Sequence, residues 1–205
     1  MSNSSSFYHL ILISGPPRAG KNRAGICLAE WLDGDHFALS NYVKRKTHEY
    51  YGLGTELAPL HFEDIKDLPN PHFGGLSARQ AYIRYSERVM KPKHGSGFLG
   101  NIAVKRILSN ILQDRISIVS GVGFADEVMP MVNSVGADRI LHVRLNPSFG
   151  QDRHREDSRQ PLDLQGDGVE GITLVNRDCR QLIKDVTAAA RGFPVPGPRG
   201  AAKLP

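Results

Sequence analysis

The sequence predicts an α/β protein, a three-layer α/β/α core around a mainly parallel sheet with a polar lid inserted near its end. Three observations predict it. The apolar run His9 to Ser14 (HLILIS) is followed by the glycine-rich SGPPRAGKNR and then, from Ala24 to Leu32, by apolar residues at helical spacing: strand, turn, helix. Apolar runs of strand length recur at Ile116 to Val122 (ISIVSGV) and Arg139 to Leu145 (RILHVRL). A helical pattern from Ala125 to Val135 separates those two runs, and continuous apolar strands alternating with helices belong to parallel sheets covered on both faces.

The remaining elements follow in order. His36 to Ser40 (HFALS) and Ile172 to Val175 (ITLV) are weaker strands, and the second feeds a helix from Asp178 to about Ala190. Ser77 to Lys91 and Phe98 to Leu112 read as helices, with Ser77 as N-cap of the first. Leu57 to Gly75, rich in Pro, His and Gly, reads as a long connection that covers a ligand. Asn146 to Gly171 is polar and crowded with Arg, Asp, Gln and Gly between two strands, which suits a lid; disorder is the competing reading. Residues 1 to 191 make a single domain, and the tail from Gly192 to Pro205 holds too much Pro and Gly to pack.

A chain of 205 residues, 40% of them hydrophobic, can bury a substantial core. The net charge of +5 comes from 26 basic and 21 acidic residues intermixed, without a basic block or an aromatic-interleaved stripe. Such a pattern points away from nucleic acid and fits small polyanions. Cys27 and Cys179 lie far apart with no C-x-x-C, so neither a disulfide framework nor a zinc site is expected, and a reducing cytoplasm is the expected setting. No run approaches ~18 apolar residues, the length a membrane helix needs, and the N-terminal residues MSNSSSFYH lack the features of a secretory signal. The sequence leaves oligomeric state open, a homodimer included.

The chemistry concentrates in Ser14 to Arg23. The pattern G-x-x-x-x-G-K runs from Gly15 to Lys21, and Asn22 stands where a serine or threonine hydroxyl would meet a magnesium ion. Such a P-loop works because backbone N–H groups and a helix N-terminus point at phosphate oxygens while the lysine supplies charge. Gly15, Arg18, Ala19, Gly20, Lys21, Asn22 and Arg23 are therefore the expected ATP-binding residues, against the plain alternative of a glycine turn with a solvated lysine. The amide oxygen of Asn22 is a candidate Mg²⁺ ligand. Asp126 and Glu127 read either as favourable charge in a first helical turn or as a metal or substrate site. Arg153, Arg155 and Arg159 in the lid are candidates for stabilising a transferring phosphoryl group, and Arg79 with Gln80 for a second phosphate, each against the reading of a solvated surface.

Five segments in order, LILISGPPRAGKN, LSNYVKRKTHEYYGL, SARQAYIRYSERVMKP, VSGVGFADEV and HVRLNPSFGQDRHREDSR, give a chain that resembles the deoxynucleoside monophosphate kinases of bacteriophages and their bacterial look-alikes. The resemblance implies transfer of the ATP γ-phosphoryl group to a deoxynucleoside monophosphate, with Mg²⁺. It implies that Lys21 binds the ATP phosphates, that Lys44, Arg79 and Gln80 lie on the acceptor side, and that Arg144 and the lid arginines lie near the transferred group. Two departures stand out: relatives often carry Asp and Arg in a motif like S-D-V-R-F-x-N-E where this chain reads Ser120-Gly121-Val122-Gly123-Phe124-Ala125-Asp126-Glu127, keeping the hydrophobic frame and the final glutamate, and Asn22 replaces Ser or Thr. Both favour a rival reading, a nucleotide-binding or assembly protein without catalysis; a kinase of another small phosphorylated metabolite is the third.

Overall fold

A computed structural model of the chain describes residues 8–17, 19–146, 162–175 and 178–189. Arg18, Arg153, Arg155 and Arg159, most of the expected lid and the whole 192–205 tail lie outside the described residues.

Five strands form one sheet in the order β2-β3-β1-β4-β5, with every pair parallel. They are β1 (Leu10–Ser14), β2 (Asp35–Ala38), β3 (Ser117–Ser120), β4 (Ile140–Asn146) and β5 (Glu170–Val175). Strand β1 is central and all five of its residues are buried, which is why HLILIS shows no polar alternation. Successive side chains serve opposite faces. Leu10 and Leu12 join a cluster with Val119, Ile140, Val128 and Met131, whereas Ile11 and Ile13 join one with Ile118, Leu141, Val143 and Leu145.

The first face is covered by α2 (Leu39–Tyr50), α5 (Phe98–Ile111) and α6 (Ala125–Val135), which contribute Val43, Ala103, Ile107, Val128 and Val132. The second is covered by α1 (Lys21–Leu32) and α7 (Cys179–Ala189) through Ala24, Leu28, Leu182 and Val186. The α1 crossover runs outward to β2 on one face. The crossovers to β3 and β4 run the other way on the opposite face, as right-handed connections require. After β1 and its neighbour β4 the chain leaves in opposite directions, so the crevice at their carboxyl ends is the topological switch point of the sheet.

The expected elements recur with four differences. Strand β2 stops at Ala38 rather than Ser40, because Leu39 already opens α2, a helix that strand periodicity conceals. The predicted 77–91 helix is α3 (Ala78–Tyr85), a π turn at Ser86–Met90 and α4 (Lys91–His94), its start held by the expected Ser77 cap. The connection from Leu57 to Gly75 contains 3₁₀ turns and packs Phe62 and Phe73 into a small core of its own with Ala78 and Ala81. Leu162, Leu164 and Val169, expected within the polar insertion, are buried in the main core, and β5 starts at Glu170.

The cysteines also correct an expectation. Cys27 of α1 and Cys179 of α7 form a disulfide with Cα atoms 5.7 Å apart, since folding brings two helices separated by 152 residues onto the same face of the sheet. No helix among the described residues is long and apolar enough to cross a membrane.

Candidate phosphate-binding site

The loop after β1 lies at the switch point, and its backbone geometry explains its glycines. Gly15 has φ +143°, and a Cβ there would stand 2.4 Å from the carbonyl oxygen of Leu145, so the chain leaves β1 pressed against β4 where only hydrogen fits. Gly20 closes the loop with φ 76° and leads directly into α1. Between them the Ala19 N–H donates to the Pro16 carbonyl at 3.3 Å. Lys21, first residue of α1, reaches back over the loop, its Nζ donating to the carbonyls of Gly15 and Pro16 at 2.7 Å each. No acidic side chain occupies the first turn of α1, so nothing on that turn opposes an anion at the positive end of the helix. Arg23 is exposed on the same turn.

Asn22 belongs to a hydrogen-bonded chain that crosses three elements. The Ser120 hydroxyl, at the end of β3, donates to Asn22 Oδ1 at 2.9 Å, and His36 Nε2 of β2 lies 2.9 Å from the same Ser120 oxygen. Ser120 has one proton and gives it to an amide oxygen that can only accept, so His36 Nε2 carries its own proton and donates. Burial lowers the His36 pKa, with Asp35 opposing the effect and Arg106 adding to it, which favours the neutral imidazole. Asp35 itself is held low by Arg106, which donates to it at 2.6 and 2.5 Å, and by Asn110 at 2.8 Å.

On the other side of the loop, Ser14 Oγ and His142 Nε2 lie 2.7 Å apart, both buried. Burial pushes the His142 pKa down to about 4, with Arg144 acting in the same direction and Asp163 against it. The pair satisfies two buried polar groups within the sheet. Arg144 pairs in register with Ser14 and donates to the main-chain carbonyl of Leu162, so it sits beside the loop and anchors the far end of the polar insertion to β4.

The other expected phosphate residues are engaged locally. Lys44, on α2, pairs with Glu63, which Lys66 also contacts at 3.0 Å. Arg79 pairs with Asp67 at 2.5 Å. Gln80 completes a capping box: its Oε1 accepts from Ser77 N–H at 2.9 Å while its own N–H donates to Ser77 Oγ at 3.2 Å. Asp126 is exposed and Glu127 is buried in the first turn of α6, consistent with favourable charge at that end.

Sequence reading missed His36, His142 and Ser14 as site residues. Their signal was present, since a histidine or serine within a continuous apolar strand has to find a buried partner.

Among the described residues the donor set does not fit a magnesium ion held by the protein. Mg²⁺ takes oxygen ligands and is usually held by one or two carboxylates. Here Asn22 Oδ1 already accepts the Ser120 proton, and β3 ends in Ser120 and Gly121, neither of which carries a carboxylate. Among the described residues no group of three or more His, Cys, Asp or Glu is placed to hold a metal.

The fold and site together define an α/β protein with a P-loop at the carboxyl edge of a parallel sheet. No protein-family model matches the chain, and no curated protein matches it. Solved structures similar to it include a sugar kinase from Janibacter sp. HTCC2649, 9% identical, with a TM-score of 0.48 over 89% of this chain and 94% of that one. A gluconokinase from Sinorhizobium meliloti 1021 is 12% identical, with a TM-score of 0.46 over 89% and 91%. Shikimate kinase from Aquifex aeolicus is 11% identical, with a TM-score of 0.40 over 88% and 95%. At such identities and scores the fold and site of this chain rest on its own geometry.

Proposed function

We propose that the protein is an ATP-dependent phosphotransferase whose acceptor is a deoxynucleoside monophosphate. One observation supports the phosphotransferase part of the reading, Lys21 folded back over a glycine loop between the central parallel strand and α1 at the switch point of the sheet, and the acceptor is proposed from the sequence resemblance. Backbone N–H groups of the loop and the Lys21 ammonium bind the β- and γ-phosphates. An oxygen of the acceptor phosphate attacks the γ-phosphorus, the bond to the bridging oxygen of the β-phosphate breaks, and ADP leaves. Arg144 beside the loop, with Arg153, Arg155 and Arg159 of the polar insertion, supplies positive charge as the phosphoryl group moves. Lys44 of α2, paired with Glu63, and Arg79 of α3, paired with Asp67, are the acceptor-side cations. The test is a coupled assay of purified protein with ATP and each common nucleoside and deoxynucleoside monophosphate. Turnover with a deoxynucleoside monophosphate is expected, and Lys21→Ala should lower kcat/KM by at least about 100-fold, the usual loss for one transition-state donor, with circular dichroism unchanged. Turnover only with a sugar or another metabolite would overturn the acceptor.

A second reading, nucleotide binding without transfer, draws on the carboxylate-free end of β3 at Ser120 and Gly121. It predicts calorimetric ATP binding that depends on Lys21 with no turnover on any acceptor.

A further inference from the structure

The chain from His36 through Ser120 to Asn22 has a directional consequence. His36 Nε2–H donates to Ser120 Oγ and Ser120 donates to Asn22 Oδ1, which turns the amide oxygen toward the sheet with one lone pair engaged and leaves the Nδ2 amide, a donor, on the opposite side of the group for a ligand. Asn22 is exposed in the first turn of α1, immediately after Lys21, whereas Ser120 is fully buried. The residue that would ordinarily turn an oxygen toward a cation thus turns N–H groups outward, and a buried hydroxyl holds it that way.

The arrangement is built into the packing. The His36 ring fills the space over Gly25 of α1, where an added Cβ would stand 2.3 Å from Cδ2 and 2.4 Å from Nε2. Its strand neighbour Asp35 is fixed by Arg106 and Asn110. The ring cannot slide along the helix, and Ser120, paired in register with Ala38 and Ile13, cannot leave the sheet.

We propose that Asn22, positioned by Ser120 and His36, makes the loop a receptor for the triphosphate anion itself rather than for its magnesium complex. An amide donor beside the Lys21 ammonium gains a hydrogen bond from a bare phosphate oxygen and gains nothing from a cation. The inference rests on the loop being a phosphate site and specifies which form of the ligand it takes.

Calorimetry with the non-hydrolysable β,γ-imido analogue of ATP, in excess Mg²⁺ and in excess EDTA, tests it. Wild-type Kd in EDTA should lie within about threefold of that in Mg²⁺, or below it, because Asn22 turns a donor and no described carboxylate toward the metal. Asn22→Asp accepts the Ser120 proton on one oxygen and offers the other to a cation, so it should bind at least about tenfold more tightly in Mg²⁺ than in EDTA. Ser120→Ala, which releases the amide to turn over, should move the ratio in the same direction. Thermal unfolding of each variant establishes that it is folded. Wild-type binding that requires Mg²⁺ by tenfold or more, or a folded Asn22→Asp with an unchanged ratio, overturns the inference while leaving the phosphate site standing. Absence of binding in both buffers overturns the phosphate site itself, and the inference with it.

Discussion

His142 shows how one buried side chain couples the core to pH. Its imidazole has about 4 as its pKa in the folded chain against an ordinary value of 6.5, chiefly because burial disfavours the charged ring. Between those values the unfolded chain binds the proton and the folded chain does not, so stability falls as pH drops from 6.5 toward 4. The difference is worth about 3 kcal/mol. His36 and His48 are also lowered by burial and act in the same direction. Urea unfolding across this range should therefore show a steep loss of stability in the wild type. His142→Gln, which keeps a partner for Ser14, should lose a large part of that slope; an unchanged slope would remove His142 as its source. The glycines and lysine of the loop were legible in the sequence because their chemistry is written in consecutive residues. The hydrogen bonds from Ser14 to His142 and from Ser120 to Asn22 and His36 were not, because each joins positions 84 to 128 residues apart.

At the scale of elements, α3 depends on its first turn. Ser77 is buried and serves as both acceptor and donor in the capping box with Gln80, and α3 then supplies Ala78 and Ala81 to the core formed with Phe62 and Phe73. Ser77→Ala leaves the Gln80 N–H without its acceptor and should cost about 2 kcal/mol of unfolding free energy in urea, at the upper end of the capping range because the site is buried. The same result assigns Gln80 a structural task, whatever it adds toward an acceptor. Helices α1, α6 and α7 were readable because each keeps one period across its length, and strands β1, β3 and β4 because each is a short, nearly continuous apolar run. Helix α2 was hidden for a physical reason. It starts at Leu39 with no side-chain cap, directly after the apolar Phe37 and Ala38, so the strand run continues into the helix with no punctuation. The burial of Leu162, Leu164 and Val169 was equally obscured, since three apolar residues spaced through a polar stretch match neither strand nor helix periodicity.

At the scale of the whole molecule, the sheet separates two tasks. On the face of α2, α5 and α6 the core backs the helix that carries Lys44; on the face of α1 and α7 it backs the helix that carries Lys21 and Asn22. The second face is the one the disulfide crosses, joining the loop helix to the last helix of the described chain. Neither cysteine could have been paired from the sequence, because two cysteines 152 residues apart meet only after the sheet has ordered both helices. Closing so long a loop removes much of the freedom of the unfolded chain, and removing a native bridge typically costs about 2–5 kcal/mol. Thiol titration of the unreduced, urea-unfolded protein should therefore find no free cysteine, and Cys27→Ser with Cys179→Ser should lower the unfolding free energy by about that amount. The wild type should become as unstable as the double variant when reductant is added, and the variant itself should not respond to reductant. Two titratable thiols in the untreated protein, or identical stability with and without reductant, would mean that packing of Leu28 against Leu182 and Val186 holds the two helices together without the bond.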